Sequence, residues 1–215
     1  MNTFAVVLGI MGLIAGYKIP DISLKIMEYK RGKDISVKPY LYSNMGKIII
    51  CILNAVMCFT AGLNVDNKAA GLLLCVQITL GLVVAFIDIN IRIIPNELVI
   101  VMLAIGVLSQ ILNFGLKSIV TSLVTMVVMM VVFMSVAGFV GLGKVGAGDV
   151  KLAGAMGLAL GDPTIISAVF VMAIVLLVFI VTGMLMKKIY LSTMLPLAPF
   201  MMCGYVLVLA GIPVL

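Results

Sequence analysis

Residues 118–142 read SIVTSLVTMVVMMVVFMSVAGFVGL, a run without one charged side chain. A helix needs roughly 20 apolar residues to cross the hydrocarbon of a bilayer, so this run alone predicts a transmembrane helix. Comparable runs are expected at 3–18, 46–64, 69–88, 97–116, 150–161, 163–186 and 194–213. The 215-residue chain is 64% hydrophobic and 10% charged, with mean hydropathy +1.36. An average soluble domain carries roughly 25% charged residues, so this chain has too little polar surface to wet a globule. A soluble enzyme, a secreted disulfide scaffold and a nucleic-acid binder are excluded. The expected architecture is an all-α integral membrane protein of about eight transmembrane helices, one polytopic unit over 1–215 whose partner is the lipid bilayer. The run Thr3 to Tyr17 lacks the basic start and small-residue cleavage site of a signal peptide and is read as a span. The run 150–161 is short and rich in Gly and Ala, which suits a helix packed inside the bundle.

Lysine and arginine set orientation, because they resist translocation. The segment 18–46 is expected to form a short basic cytoplasmic loop holding Lys18, Lys25, Lys30, Arg31, Lys33 and Lys38, with Lys47 directly after it. With eight alternating spans, Arg92, Lys144, Lys151, Lys187 and Lys188 fall on the same side. That side takes twelve of the fourteen basic residues, and only Lys68 and Lys117 face the other. Both termini are then extracytoplasmic. Within the basic loop, Asp21 after Pro20 is expected to cap a short interfacial helix that stops at Lys30-Arg31-Gly32.

Only eight acidic residues are present, so each can be weighed. Asp21, Glu28 and Asp34 lie in the basic loop, Asp66 and Asp162 in turns, and Glu97 at the start of a helix where its charge suits the dipole. Asp88 and Asp149 remain. Asp88 closes the apolar run GLVVAFID (81–88) and is followed by Arg92 and by Ile94-Pro95-Asn96. Asp149 ends Gly146-Ala-Gly148 and is followed by Val-Lys151-Leu. Both carboxylates are expected at cytoplasmic helix ends, at matched depth, where an ionisable group is a candidate functional residue. Gly146 and Gly148 permit positive φ and close approach of another chain. Pro95 biases Ile94 toward extended structure, and Asn96 is placed to cap the helix that follows. Lys151 is read either as orienting Asp149 or substrate, or as an anchor; Arg92 is read chiefly as an anchor. The plain alternative makes Asp149 an N-cap and Asp88 a snorkelling end residue.

The chemistry that fits two such carboxylates is aspartyl proteolysis. Two close carboxylates do not both ionise easily, so one acts as base toward water while the other polarises a carbonyl. The chain has no histidine, which removes Ser-His, Cys-His and HExxH mechanisms. Its cysteines, Cys51, Cys58, Cys75 and Cys203, show no CxxC spacing and read as core residues, so no metal site is expected.

At these residues the chain resembles the bacterial type IV prepilin peptidases, membrane aspartyl proteases of the GxGD kind. The resemblance rests on Asp88 with Ile94-Pro95-Asn96, on Gly146-Ala-Gly148-Asp149-Val-Lys151-Leu152, and more weakly on Pro196-Leu-Ala-Pro199-Phe200. It spans about 70–205. It implies a multi-pass protein of the bacterial cytoplasmic membrane that cuts the basic leader from prepilins or pseudopilins at the cytoplasmic face, using Asp88 and Asp149. The paired CxxC zinc motifs of many larger members are absent, so this would be a short form. Proteolysis of this kind needs no cofactor. S-adenosylmethionine enters only if the methyl transfer of larger members is retained, and no glycine-rich nucleotide loop is found. The rival reading is a small proton- or cation-coupled transporter using the same aspartates; a third is a non-catalytic assembly factor.

Overall fold

The computed structural model describes residues 3–32, 39–140, 146–187 and 195–212. Among these, all regular structure is helical: α1 (Thr3–Arg31), α2 (Pro39–Tyr42), α3 (Asn44–Leu63), α4 (Lys68–Ile91), α5 (Asn96–Phe114), α6 (Ser118–Val140), α7 (Ala147–Leu160), α8 (Thr164–Leu185) and α9 (Ala198–Leu209). A helix stands at each of the eight expected runs. Six of them, α1, α3, α4, α5, α6 and α8, are long and apolar enough to cross a membrane. α7, short as its run suggested, and α9, where the expectation of a full span is corrected, have 14 and 12 residues. At 1.5 Å per residue these reach about 21 and 18 Å, short of the roughly 30 Å hydrocarbon.

Burial explains how α7 can be short. Every residue from Leu152 to Leu160 is buried, because α5, α6, α8 and α9 all pack on it. Protein therefore surrounds its body and its C-terminal end, as backbone interrupted at membrane depth requires. The small side chains serve that packing: a Cβ on Gly157 would lie 2.9 Å from the Thr125 carbonyl oxygen. The long helices instead turn valines and isoleucines outward, such as Val124, Val128 and Val131 of α6.

The expected basic loop is corrected in its first half. α1 does not stop at Lys18 but continues through Pro20 to Arg31, about 43 Å of helix. Proline inside a helix removes a backbone bond at a cost of ~3 kcal/mol. Tertiary packing offsets this, since Ile19 and Met27 are buried in a cluster with Val83, Phe86, Ile87 and Ile91 of α4. Asp21 consequently caps nothing and pairs with Lys47 at 3.0 Å. The helix ends where expected, at Gly32, whose φ of +85° suits a residue without Cβ. Lys33, Asp34, Lys38, Lys144 and Lys188 lie outside the described residues.

Close backbone approach and a few polar links hold the bundle. A Cβ on Gly12 or Gly16 of α1 would fall 2.9 Å from Asn54 O or 2.8 Å from Cys51 Cα of α3, the small-residue packing that replaces hydrophobic drive between membrane helices. The fully buried Asn54 donates to Gly12 O at 2.8 Å and to Thr79 Oγ1 at 3.2 Å, joining α1, α3 and α4. Tyr205 donates to Gln77 Oε1 at 2.7 Å, and Gln77 donates to Met102 O at 2.9 Å. Cys51, Cys58 and Cys75 are buried and Cys203 is half-buried. Interhelical hydrogen bonds in membranes contribute ~0.6 kcal/mol on average and up to ~1.7. Asn54→Ala, which loses both bonds and some packing, should destabilise by about 1–2 kcal/mol; lipid-facing Val56→Ala should cost less. Thermal unfolding in detergent reads the difference, and equal shifts would show the link to be idle.

Candidate active site

The two short helices create the site. α6 and α7 run antiparallel, with Gly154 against Met130 and Gly157 against Met126. This register puts Asp149 level with about Ser135, while α6 continues to Val140, so Asp149 lies roughly 7 Å below the end of α6. α9 begins in the same recess. Its first N–H, that of Ala198, donates to Asp88 Oδ2 at 3.2 Å. Asp149, in the first turn of α7, accepts the Gly146 N–H on Oδ2 at 2.9 Å. Each carboxylate thus meets the N-terminus of a short helix, where unpaired N–H groups and the helix dipole favour negative charge.

Asp88 stands in the last turn of α4 and is 5% exposed. The reading of it as a snorkelling end residue is therefore corrected, because the helix runs on to Ile91 and α9 covers it. Arg92 ends α4 in the left-handed region (φ 54°, ψ 42°), and its N–H bonds to Asp88 O at 2.9 Å. This cap turns the chain through Ile93 and Ile94 to Pro95, which begins α5 with φ −65°. Asp88, Arg92, Ile93, Ile94, Asn96, Gly146, Gly148 and Asp149 line one cavity of about 240 Å³. Two residues 61 positions apart are brought to one recess.

Several neighbours do something other than expected. Asn96 does not cap α5, because Pro95 holds the N-cap position and no side chain accepts there. Its Oδ1 instead accepts from Lys151 Nζ at 3.1 Å, tying α7 to α5. Lys151 therefore does not bond to Asp149. Asp149 is the third residue of α7, not its N-cap, which is Gly146. Neither glycine uses positive φ. Gly148 is needed for space: a Cβ there would lie 3.1 Å from Ile94 Cβ, whereas one on Gly146 would come no closer than 3.4 Å to any neighbour, at Asp149 Oδ2. Gly148→Val should push α7 from the α4–α5 connection and lower any turnover at this cavity on the order of 10²-fold, as misplacement of about 1 Å does. Gly146→Ala should cost severalfold at most. Equal losses of activity would refute the spatial argument.

Ala198 joins the site through its backbone, so its side-chain type does not mark it, although it lies in the weakly matching stretch 196–200. Its signal is a donor between two prolines: Pro196 and Pro199 have no N–H, so the start of α9 offers few other backbone donors. Among the described residues no cluster of three His, Cys, Asp or Glu side chains could hold a metal.

The fold and recess describe a polytopic helical membrane protein with two carboxylates gathered at one end of the bundle. Residues 75–186 match the model of the type IV leader peptidase family, and the chain belongs to that family. Membership implies a leader peptidase, a membrane-bound hydrolase acting on peptide substrate. No curated protein and no solved structure matches the chain.

Proposed function

We propose that this protein is an aspartyl endopeptidase of the bacterial cytoplasmic membrane that removes the basic leader of a type IV prepilin or pseudopilin at the cytoplasmic face. The observation that carries the reading is the single cavity shared by Asp88 and Asp149. The pair holds one proton between them. The ionised carboxylate takes a proton from water as the water oxygen attacks the scissile carbonyl carbon. The protonated carboxyl donates a hydrogen bond to the carbonyl oxygen. Collapse of the tetrahedral species breaks the C–N bond, and the leaving nitrogen takes up a proton from the dyad. Ala198 and Gly146 hold the carboxylates. Gly148, Pro95 and the Lys151–Asn96 link set the spacing of α7 and α5, and Arg92 lines the entry.

Cytoplasmic placement is supported by charge. Lys30 at the end of α1 pairs with Glu97 at the start of α5, at 2.6 Å, so the basic segment stands at the same end as the carboxylates. With the twelve-to-two distribution of basic residues, this favours extracytoplasmic termini. A transporter reading fits less well, since its ionisable groups belong near mid-membrane. Proteolysis here needs no cofactor; S-adenosylmethionine is outside the proposal, as no residues for it are identified.

The test is incubation of the protein in bilayers with a candidate prepilin, followed by N-terminal sequencing. A single new N-terminus directly after the leader is expected. Scattered cuts, or none with any prepilin or pseudopilin offered, would overturn the substrate class.

A further inference from the structure

We propose that the groove between α5, α6 and α7 seats the apolar helical segment of the substrate that follows the cut bond. This rests on the peptidase reading above. α5 and α6 each pack on α7 but scarcely on one another, leaving a groove of about 510 Å³ over the α7 surface. Its floor carries Gly154, its α5 wall Ile100 and Leu103, and its α6 wall Met126 and Met130. Methionines adapt to irregular apolar shapes.

Continuity with the carboxylate cavity identifies the occupant. Asn96 lines both spaces, and its bond to Lys151 lies where one passes into the other. A substrate must be extended at the cut bond and apolar where it enters the bilayer. The first N–H groups of a helix have no partner of their own, and Asn96 Oδ1, which spends one lone pair on Lys151 Nζ, has a second to offer them as the substrate turns helical. From Asn96 to Leu103 the groove follows α5 for roughly 10 Å, about two turns. A lipid chain would fill the apolar part equally well but would gain nothing from the polar mouth. The larger cleft of about 750 Å³ between α6 and α8 runs from Asp162, at the end of the bundle opposite the carboxylates, and cannot receive a chain directly from the cavity.

The experiment places a photo-crosslinking amino acid at Ile100, at Met130, or at the lipid-facing Val178 of α8, 55% exposed. Each protein is irradiated in bilayers with full-length substrate, and cleavage is followed in parallel without light. Positions 100 and 130 should give several-fold more adduct than 178, mapped by mass spectrometry to the apolar segment after the leader. Adducts to lipid alone at 100 and 130, or equal yield at 178, would overturn the groove. The two readings fail separately. Cleavage without these adducts defeats the groove only; adducts with cleavage that survives in Asp88→Asn and Asp149→Asn defeat the dyad only.

Discussion

Asp88→Asn and Asp149→Asn should each lower the rate of leader cleavage by about 10³-fold while leaving the fold in place. The amide oxygen of asparagine can still accept the N–H that each carboxylate now takes, from Ala198 at 3.2 Å and from Gly146 at 2.9 Å. What asparagine cannot do is take a proton from water or pass one to the leaving nitrogen. Positioned proton transfer contributes roughly 10²–10⁴-fold, and in the proposed mechanism both proton positions belong to one pair. The double variant should therefore be little worse than either single one, because groups that act as a unit are far from additive. Rates on a prepilin with a defined cut site measure this, alongside thermal unfolding in detergent to show that the fold persists. If either variant cuts at the wild-type rate, that aspartate is not part of the mechanism.

Gly204→Val should damage both stability and activity, although position 204 is two turns from the carboxylates. A Cβ on Gly204 would run into the carbonyl oxygen of Ala168 and approach Met172 N to 3.2 Å. These are backbone atoms of α8, which cannot rotate aside as a side chain can. α9 must move instead, and it carries both Ala198 and Tyr205. Overpacking typically costs about 1–3 kcal/mol and occasionally more; a backbone collision belongs at the upper end. Displacing Ala198 by an ångström should further lower turnover on the order of 10²-fold. Gly138→Ala is the control, since a Cβ there meets nothing within 4 Å, and alanine is favoured over glycine in a helix by roughly 0.5–1 kcal/mol. Thermal unfolding of the two variants should shift in opposite directions from wild type, and only Gly204→Val should lower the cleavage rate. A Gly204→Val protein as stable as wild type would mean that α8 and α9 are not in this contact.

Much of the site was legible in the residues. Aspartates are so rare that Asp88 and Asp149 stood out by elimination, and Pro95 and Gly148 announced the turns beside them. The partners were less legible. Lys151 offered a choice between Asp149 and substrate, and the packing of α7 on α5 directs it to Asn96. Gly148 suggested a positive φ, but the requirement is room for Ile94. Pro20 suggested the start of a helix, and burial of Ile19 and Met27 against α4 carries α1 straight through it.

Sequence by itself determined that this protein lies in a membrane, where its helices fall, and which end of the bundle carries the basic charge. Those properties follow from transfer free energy, which accumulates over neighbouring residues and needs no knowledge of the rest of the chain. Only the tertiary structure decided that α9 stops short, that the N-termini of α7 and α9 make a recess, and that Ala198 meets Asp88 across 110 positions of sequence. Depth and register depend on which helix surfaces can approach each other, and that is a property of pairs distant along the chain.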